Sequence, residues 1–556
     1  MSAGVRFLKQ VLVAGVVLGL AAVPMARAQR SEVEKTTTTV TSEQEKKPAA
    51  GAGPVTPDSM TSGSVTVGGK AIEYASVAGL LTVGATETQD ARLGWDGKYL
   101  PENGSDLAPK EEDRPATAKM FYTAYFAKGT EAATRPVMFF YNGGPGSATM
   151  YLRMASLGPV RVYLPDTQHP VGGPYRVMPN QFSLLDACDL IFIDAPGTGY
   201  SRVVGRDAGK AFYGVDQDVA AFDRFIRRFL TKYDRWKSPK YLFGESYGTT
   251  RDAALSARLQ RSGVDLNGVV LLSQILSFDN SADGSDGNPG TDNGHFLALP
   301  SFAATAWYHH RIASQPATLE PWIHEVEQYS LGEYAAALLQ GADLSAEKKA
   351  AVAAKLESYT GVPAAIWVKA DLRLTGGQFS KYLQDGSDVT TGRLDSRFVG
   401  PAINPMSGDA EYDPFTESIE SAILAAQYTY AHETLKWGEG MTYLPSARED
   451  GFHWDMKHKG PGGSGGTYTN VMADLAYTMK VNPKMHALLM GGYFDLGTLY
   501  FGAIYEMKHL PIPANLQNHV EYKFFPTGHM VYVNEEALRG LHDRTAEFVR
   551  AHQNGQ

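Results

Sequence analysis

Short apolar runs, bounded by Gly, Pro or charged residues, alternate along the middle of the chain with one long helical pattern. Segments 72–83, 120–127 and 136–141 are rich in β-branched and aromatic residues and predict strands. Segments 190–194 and 241–243 are shorter and almost continuously apolar, as strands buried on both faces of a parallel sheet are. Between them, segment 215–233 sets Val219, Phe222, Phe225, Ile226, Phe229 and Leu230 at helical spacing, with Arg and Asp on the opposite side. Strand, helix, strand in alternation predicts the α/β class: an open, doubly wound, mostly parallel sheet, which segments 269–272 and 485–490 would continue. Segment 279–436 breaks the rhythm. It opens Gly-, Asp- and Asn-rich over 279–294, then turns Ala-rich and helical, as at 334–340 and 346–359, and is expected to be a mainly helical cap insertion over one end of the sheet. The sheet core is thereby expected in two parts, 66–278 and 437–556.

The first 28 residues carry Arg6 and Lys9, an apolar run over 11–25, and a small-x-small ending at Ala26-Arg27-Ala28, the pattern of a cleaved secretory signal. That run is shorter than the roughly 20 residues that span a bilayer. Residues 29–65 hold almost no large apolar side chain and read as a flexible leader. An exported protein, periplasmic or extracellular, with no stable membrane insertion after signal cleavage is therefore expected.

Composition narrows the function classes. At 556 residues and 43% hydrophobic, the chain can bury a large core. Its net charge of −9 becomes more negative once the basic first segment is lost, which argues against nucleic acid as a partner. Cys188 is the only cysteine, so no intramolecular disulfide can form and a cysteine zinc site is not expected.

The pattern Gly-x-Ser-x-Gly occurs twice, and context separates the copies. Gly244-Glu245-Ser246-Tyr247-Gly248 follows a strand-like run and precedes a helix-like 249–261, as a nucleophile on a sharp strand-to-helix turn requires. Gly462-Gly463-Ser464-Gly465-Gly466 follows no strand and reads as a loop. A nucleophilic Ser needs a base and an orienting acid, which in a doubly wound hydrolase follow in the order Ser, Asp, His, each just beyond a strand. Asp495 lies after the strand-like 485–490, and His529 after 520–525. Asp474, the competing acid, falls in the helix-like 471–480 and reads as a solvated helix residue. The run Phe139-Phe140-Tyr141 ends in Asn142-Gly143-Gly144-Pro145-Gly146-Ser147, a turn whose N–H groups can face an oxyanion. No Gly-Lys-[Ser/Thr] follows, which excludes a nucleotide loop there, and His309, His310 and His324 form no metal-binding spacing. Neither a metal nor an organic cofactor is expected.

Together these segments resemble the serine carboxypeptidase family of α/β-hydrolases. The resemblance rests on Asn142-Gly143-Gly144-Pro145-Gly146, Asp194-Ala195-Pro196-Gly197-Thr198-Gly199-Tyr200-Ser201, Gly244-Glu245-Ser246-Tyr247, Asp495 after its Gly-rich turn, and Gly528-His529-Met530-Val531, in that order. It implies a triad of Ser246, Asp495 and His529, an oxyanion hole from the N–H groups of Gly144 and Tyr247, and a carboxylate-binding pair, Asn142 and Glu245. A Glu facing a carboxylate must be protonated or share a proton, so binding should strengthen as pH falls. The chain departs from the family pattern at Ser156, where an acidic residue usually precedes Leu-Gly-Pro, at Phe140 for Trp, at Ser147 for Cys, and at Tyr532 for Pro.

The expected function is hydrolysis of the C-terminal peptide bond of peptides with a free C-terminus. The Ser156 departure keeps open an esterase or acyltransferase on the same triad; a non-catalytic binding protein is the third alternative. The sequence leaves monomer and homodimer open.

Overall fold

The computed structural model describes residues 58–100, 110–281, 283, 289–447, 452–463, 465–466 and 469–553. The expected signal segment, residues 29–57 of the leader, and Ser464 lie outside them. Residues 59–65 do not belong to a leader: they form most of the first strand, β1 (Ser59–Val67), whose backbone pairs in antiparallel register with β2 (Lys70–Gly84).

Ten strands form the main sheet among the described residues. In chain order the rest are β3 (Thr117–Ala127), β4 (Val137–Tyr141), β5 (Asp189–Ile193), β6 (Arg202–Val204), β7 (Lys240–Glu245), β8 (Gly268–Leu272), β9 (His486–Gly492) and β10 (Val520–Phe525). Their spatial order is β1-β2-β3-β5-β4-β7-β8-β9-β10, with β6 beside β3. From β5 to β10 every neighbouring pair is parallel, and the β1–β3 edge is antiparallel. Every residue of β4, β5, β7 and β8 is buried, the property that their unbroken apolar runs predict.

Each face of the sheet is covered. Helices α1 (Val215–Lys232) and α2 (Tyr247–Arg261) bury their apolar sides against one face, where Phe139, Leu242, Leu271 and Leu489 meet Phe222, Phe229 and Leu255. Helix α1 starts without a side-chain cap; the carbonyl of Asp455 takes the N–H of Val215, and Asp216 and Asp218 place negative charge at its positive end.

The insertion between β8 and β9 is two structures rather than one cap. Helices α3 (Asn293–Tyr308), α4 (Leu319–Tyr329) and α5 (Ala346–Thr360) build a separate apolar cluster, which Phe494, Leu496, Leu499, Tyr500 and Phe501 from beyond β9 complete. Helix α6 (Pro414–Thr429) instead buries Phe415, Ile419 and Ile423 in the core on the second face. Beyond it, residues expected as sheet core run across the site end of the sheet. Single bridges tie Leu444 to Gly199, Ser446 to Ser147, Asp455 to Gly214 and Asn470 to Ser277.

Candidate active site

Parallel strands deliver their C-terminal ends to one edge of the sheet, and the chemistry gathers there. Ser246 follows β7 directly and is held at φ 61°, ψ −129°, a left-handed conformation costly for a side-chain-bearing residue. Its neighbours enforce the turn: Ser246 N–H donates to the Leu272 carbonyl at 3.0 Å, and a Cβ on Gly244 would lie 2.2 Å from the Gly248 carbonyl oxygen. Asp252, one helical turn further along, accepts the Gly244 N–H at 2.7 Å and the Tyr141 hydroxyl, locking the ends of β7 and β4 together.

Asp495 and His529 meet although 34 residues separate them. His529 Nδ1 lies 2.7 Å from Asp495 Oδ2, and both side chains are buried. The other acceptor positions of Asp495 are filled by the N–H groups of Gly497 (2.8 Å) and Thr498 (2.9 Å) and by the Thr498 hydroxyl (2.6 Å), so the carboxylate is fixed in orientation. The backbone of His529 is anchored as well: its N–H donates to Leu394, and its carbonyl accepts the Ser273 hydroxyl at 2.6 Å. Burial opposes charge on the imidazole, but the carboxylates of Asp495 and Glu245 outweigh it and hold His529 above its ordinary value. With Nδ1 engaged by Asp495, Nε2 is the nitrogen left for proton transfer.

Ser246 and His529 line one cavity of about 440 Å³, together with Gly144, Tyr247, Ile275, Arg393 and Met456. Tyr247 opens α2, so its N–H has no intrahelical partner and belongs to the positive end of the helix. Gly143 allows the approach that an oxyanion hole needs, since a Cβ there would sit 2.4 Å from Tyr247 N. Behind this turn Arg251, fully buried, pairs with Asp218 (2.6 Å), donates to the Asn142 carbonyl (3.0 Å) and packs over the Phe222 ring. It ties α1, α2 and the turn after β4 into one unit.

Asn142 and Glu245 are placed differently. Neither lines the cavity; Glu245 is only 1% exposed, and the Tyr532 hydroxyl donates to both of its oxygens, at 2.8 and 3.1 Å. Burial raises Glu245 to about 7 against the pull of His529 and its hydrogen bonds from Tyr532 and Asn142. Asn142 Oδ1 accepts the Leu152 N–H at 3.1 Å. Ser156 is buried with its hydroxyl unpartnered among the described residues. The departure at Tyr532 thus closes the space in front of Glu245.

Several site residues escaped the sequence reading. Thr498 stands three residues after Asp495, a spacing that favours side-chain bonding across a turn, and this signal was available. Arg393 reaches the cavity from the insertion, where nothing local marks it. Asp474 is not a solvated helix residue: it is buried, and with Asp216 it grips His458 from both sides at 2.8 and 2.7 Å. His309, buried in part, bonds to the Ser396 carbonyl at 2.7 Å.

The sequence model of the family described as serine carboxypeptidase matches residues 111–271. The pheromone-processing carboxypeptidase KEX1 of Yarrowia lipolytica is 32% identical over 135 residues, 24% of this chain and 20% of that protein. The retinoid-inducible serine carboxypeptidase of Rattus norvegicus is 30% identical over 152 residues, 26% of this chain and 30% of that protein. The similarity therefore spans less than a third of these relatives. Among solved structures, a proline iminopeptidase of Mycobacterium smegmatis aligns at 14% identity with a TM-score of 0.32, over 79% of this chain and 96% of that one. The family match takes in the glycine turn after β4, the 194–201 turn and the Ser246 elbow, and over residues 111–271 the chain is similar to the serine carboxypeptidase family.

Proposed function

We propose that this chain is an exported serine-type carboxypeptidase that removes the C-terminal residue of peptides through an acyl-enzyme on Ser246. The observation that carries the reading is the pairing of a buried, fully oriented Asp495–His529 couple with a strained Ser246 on one cavity wall. Ser246 Oγ attacks the last peptide carbonyl while His529 Nε2 takes its proton; the Gly144 and Tyr247 N–H groups receive the oxyanion. His529 then protonates the leaving amine, and water, activated by the same nitrogen, releases the acyl group.

The free carboxylate of the substrate is assigned to Arg393 rather than to Asn142 and Glu245. Asp283 holds Arg393 by Nε at 2.8 Å and by Nη2, while Nη1 lies where a Cβ on Gly497, also on the cavity wall, would come within 3.1 Å of it. A guanidinium on the wall of a cavity is the natural partner of a carboxylate. Glu245, sealed behind Tyr532, acts through its charge on His529.

One specific observation favours a second reading, an esterase or acyltransferase on the same residues: Tyr532 and Ser156 leave no open carboxylate subsite of the expected kind. The two separate on an N-blocked dipeptide presented as free acid, amide and ester, from about pH 4 to pH 8. For a carboxypeptidase the free acid is cleaved in preference to the amide, Ser246→Ala abolishes turnover, and Arg393→Ala loses about 10- to 100-fold in kcat/KM on the free acid alone. Equal or better turnover of the ester, indifferent to Arg393, would establish the second reading.

A further inference from the structure

At the opposite edge of the sheet from Ser246, three histidines from distant parts of the sequence stack face to face. His486 opens β9, His519 immediately precedes β10, and His552 ends the C-terminal helix α8 (Glu535–His552). The His486 ring lies 3.6 Å from that of His552 and 4.3 Å from that of His519, within 14° and 9° of parallel. Among the described residues nothing bonds to Nδ1 of any of the three, although all three atoms are sealed from solvent. A desolvated, unpaired ring nitrogen is costly, and three in one stack is an arrangement that ordinary packing does not reward.

Glu521, on β10, gives the cluster its chemistry. Its Oε1 lies 2.8 Å from His552 Nε2, and Arg544 holds its other oxygen. A carboxylate oxygen and an imidazole nitrogen from two different elements thus already stand side by side, the mixed donor pair that a transition metal ion takes. One ligand atom each from His486, Glu521 and His552 already lies within 4.8 Å of the others.

We propose that His486, His552 and Glu521, flanked by His519, bind one divalent transition metal ion of the zinc type. Imidazole with carboxylate selects zinc, nickel or copper over magnesium and calcium. Binding turns the rings out of their stack so that their lone pairs converge. The ion clips the end of the C-terminal helix to the starts of β9 and β10. About six residues of β9, roughly 20 Å, separate it from Asp495, so its effect is on stability and not on the chemical step.

The test is calorimetric titration of the metal-stripped full chain with zinc chloride, paired with thermal unfolding with and without zinc. One equivalent binds, unfolding shifts upward, and chelator reverses the shift. His552→Gln and His486→Ala remove that equivalent, and Glu521→Gln weakens it by about 10- to 100-fold. Each variant is first shown by circular dichroism to be folded without zinc, and the most conservative, His552→Gln, decides should His486→Ala fail to fold. Absence of binding to the wild type, or zinc binding that the folded variants retain undiminished, would overturn the proposal; the latter would mean that zinc sits on other histidines. Peptidase turnover plays no part in the readout, so this result stands apart from the fate of the Ser246 reading.

Discussion

Tyr532 is the single side chain that most alters the site. A Pro at this position would leave the Glu245 carboxyl facing space, whereas the Tyr hydroxyl occupies both of its oxygens and takes it out of the cavity. Glu245 is left with one route to the chemistry, its charge beside His529, which raises the imidazole. Replacing it by Gln keeps a partner for Tyr532 and removes that charge, so His529 titrates lower. The acid limb of the kcat/KM profile for Glu245→Gln is therefore expected to move to lower pH. On the proposed carboxypeptidase reading, the preference for free acid over amide is expected to stay with Arg393. Loss of that preference in Glu245→Gln, with an unmoved acid limb, would return the carboxylate to Glu245.

At the scale of elements, the site depends on joints between strands and the segments that cross their ends. His458 makes one such joint, between Asp216 in the first turn of α1 and Asp474 in the first turn of α7 (Met472–Val481). The same crossing segment sends Trp454 edge-on to the Tyr247 ring at 5.3 Å and Met456 into the cavity wall. Burial disfavours the imidazolium, yet the two carboxylates raise His458 to about 9. A folded-state value above the unfolded one contributes stability that is whole below about pH 6.5 and fades as pH rises through about 9. His458→Gln is thus expected to lower the melting temperature by roughly 3–5 °C near pH 6, with the gap closing by about pH 10. A gap of equal size at both pH values would assign His458 to neutral packing alone.

For the whole molecule, the insertion and the sheet are not independent bodies. Leu496, Leu499 and Phe501, which follow Asp495 directly, are part of the same apolar cluster as the insertion helices, so Asp495 is braced by the cap. Phe302 of α3, stacked on Phe379 at 4.0 Å, lies at the heart of that cluster with no place on the cavity wall. Phe302→Ala is expected to cost about 3–5 kcal/mol in denaturant unfolding and to reduce kcat, with cap and sheet melting in one transition. Two well-separated transitions in the parent protein, only one of them moved by the substitution, would contradict this coupling.

The local pattern was enough to place the strands of the parallel sheet, because strands buried on both faces must be apolar throughout and short. It was enough for Ser246 as well, since a strand, a tight glycine turn and a helix are consecutive in the chain and the strain at Ser246 is local. The places of Asp495 and His529 beyond their strands were legible for the same reason, each following an apolar run by a few residues. What local pattern could not carry was what packs against what. Asp474 reads as solvated on its own helix and is buried because His458, 16 residues away, is folded onto it. The edge strand β1 is too polar to announce itself and owes its place to backbone pairing with β2. Arg393 reaches the cavity, and Tyr532 closes off Glu245, only through contacts between segments more than a hundred residues apart. Hydrophobic period and turn chemistry are properties of neighbours in the chain, and they determined the scaffold and the candidate nucleophile. Burial, charge pairing and access to the cavity are properties of neighbours in space, and these the tertiary structure alone decided.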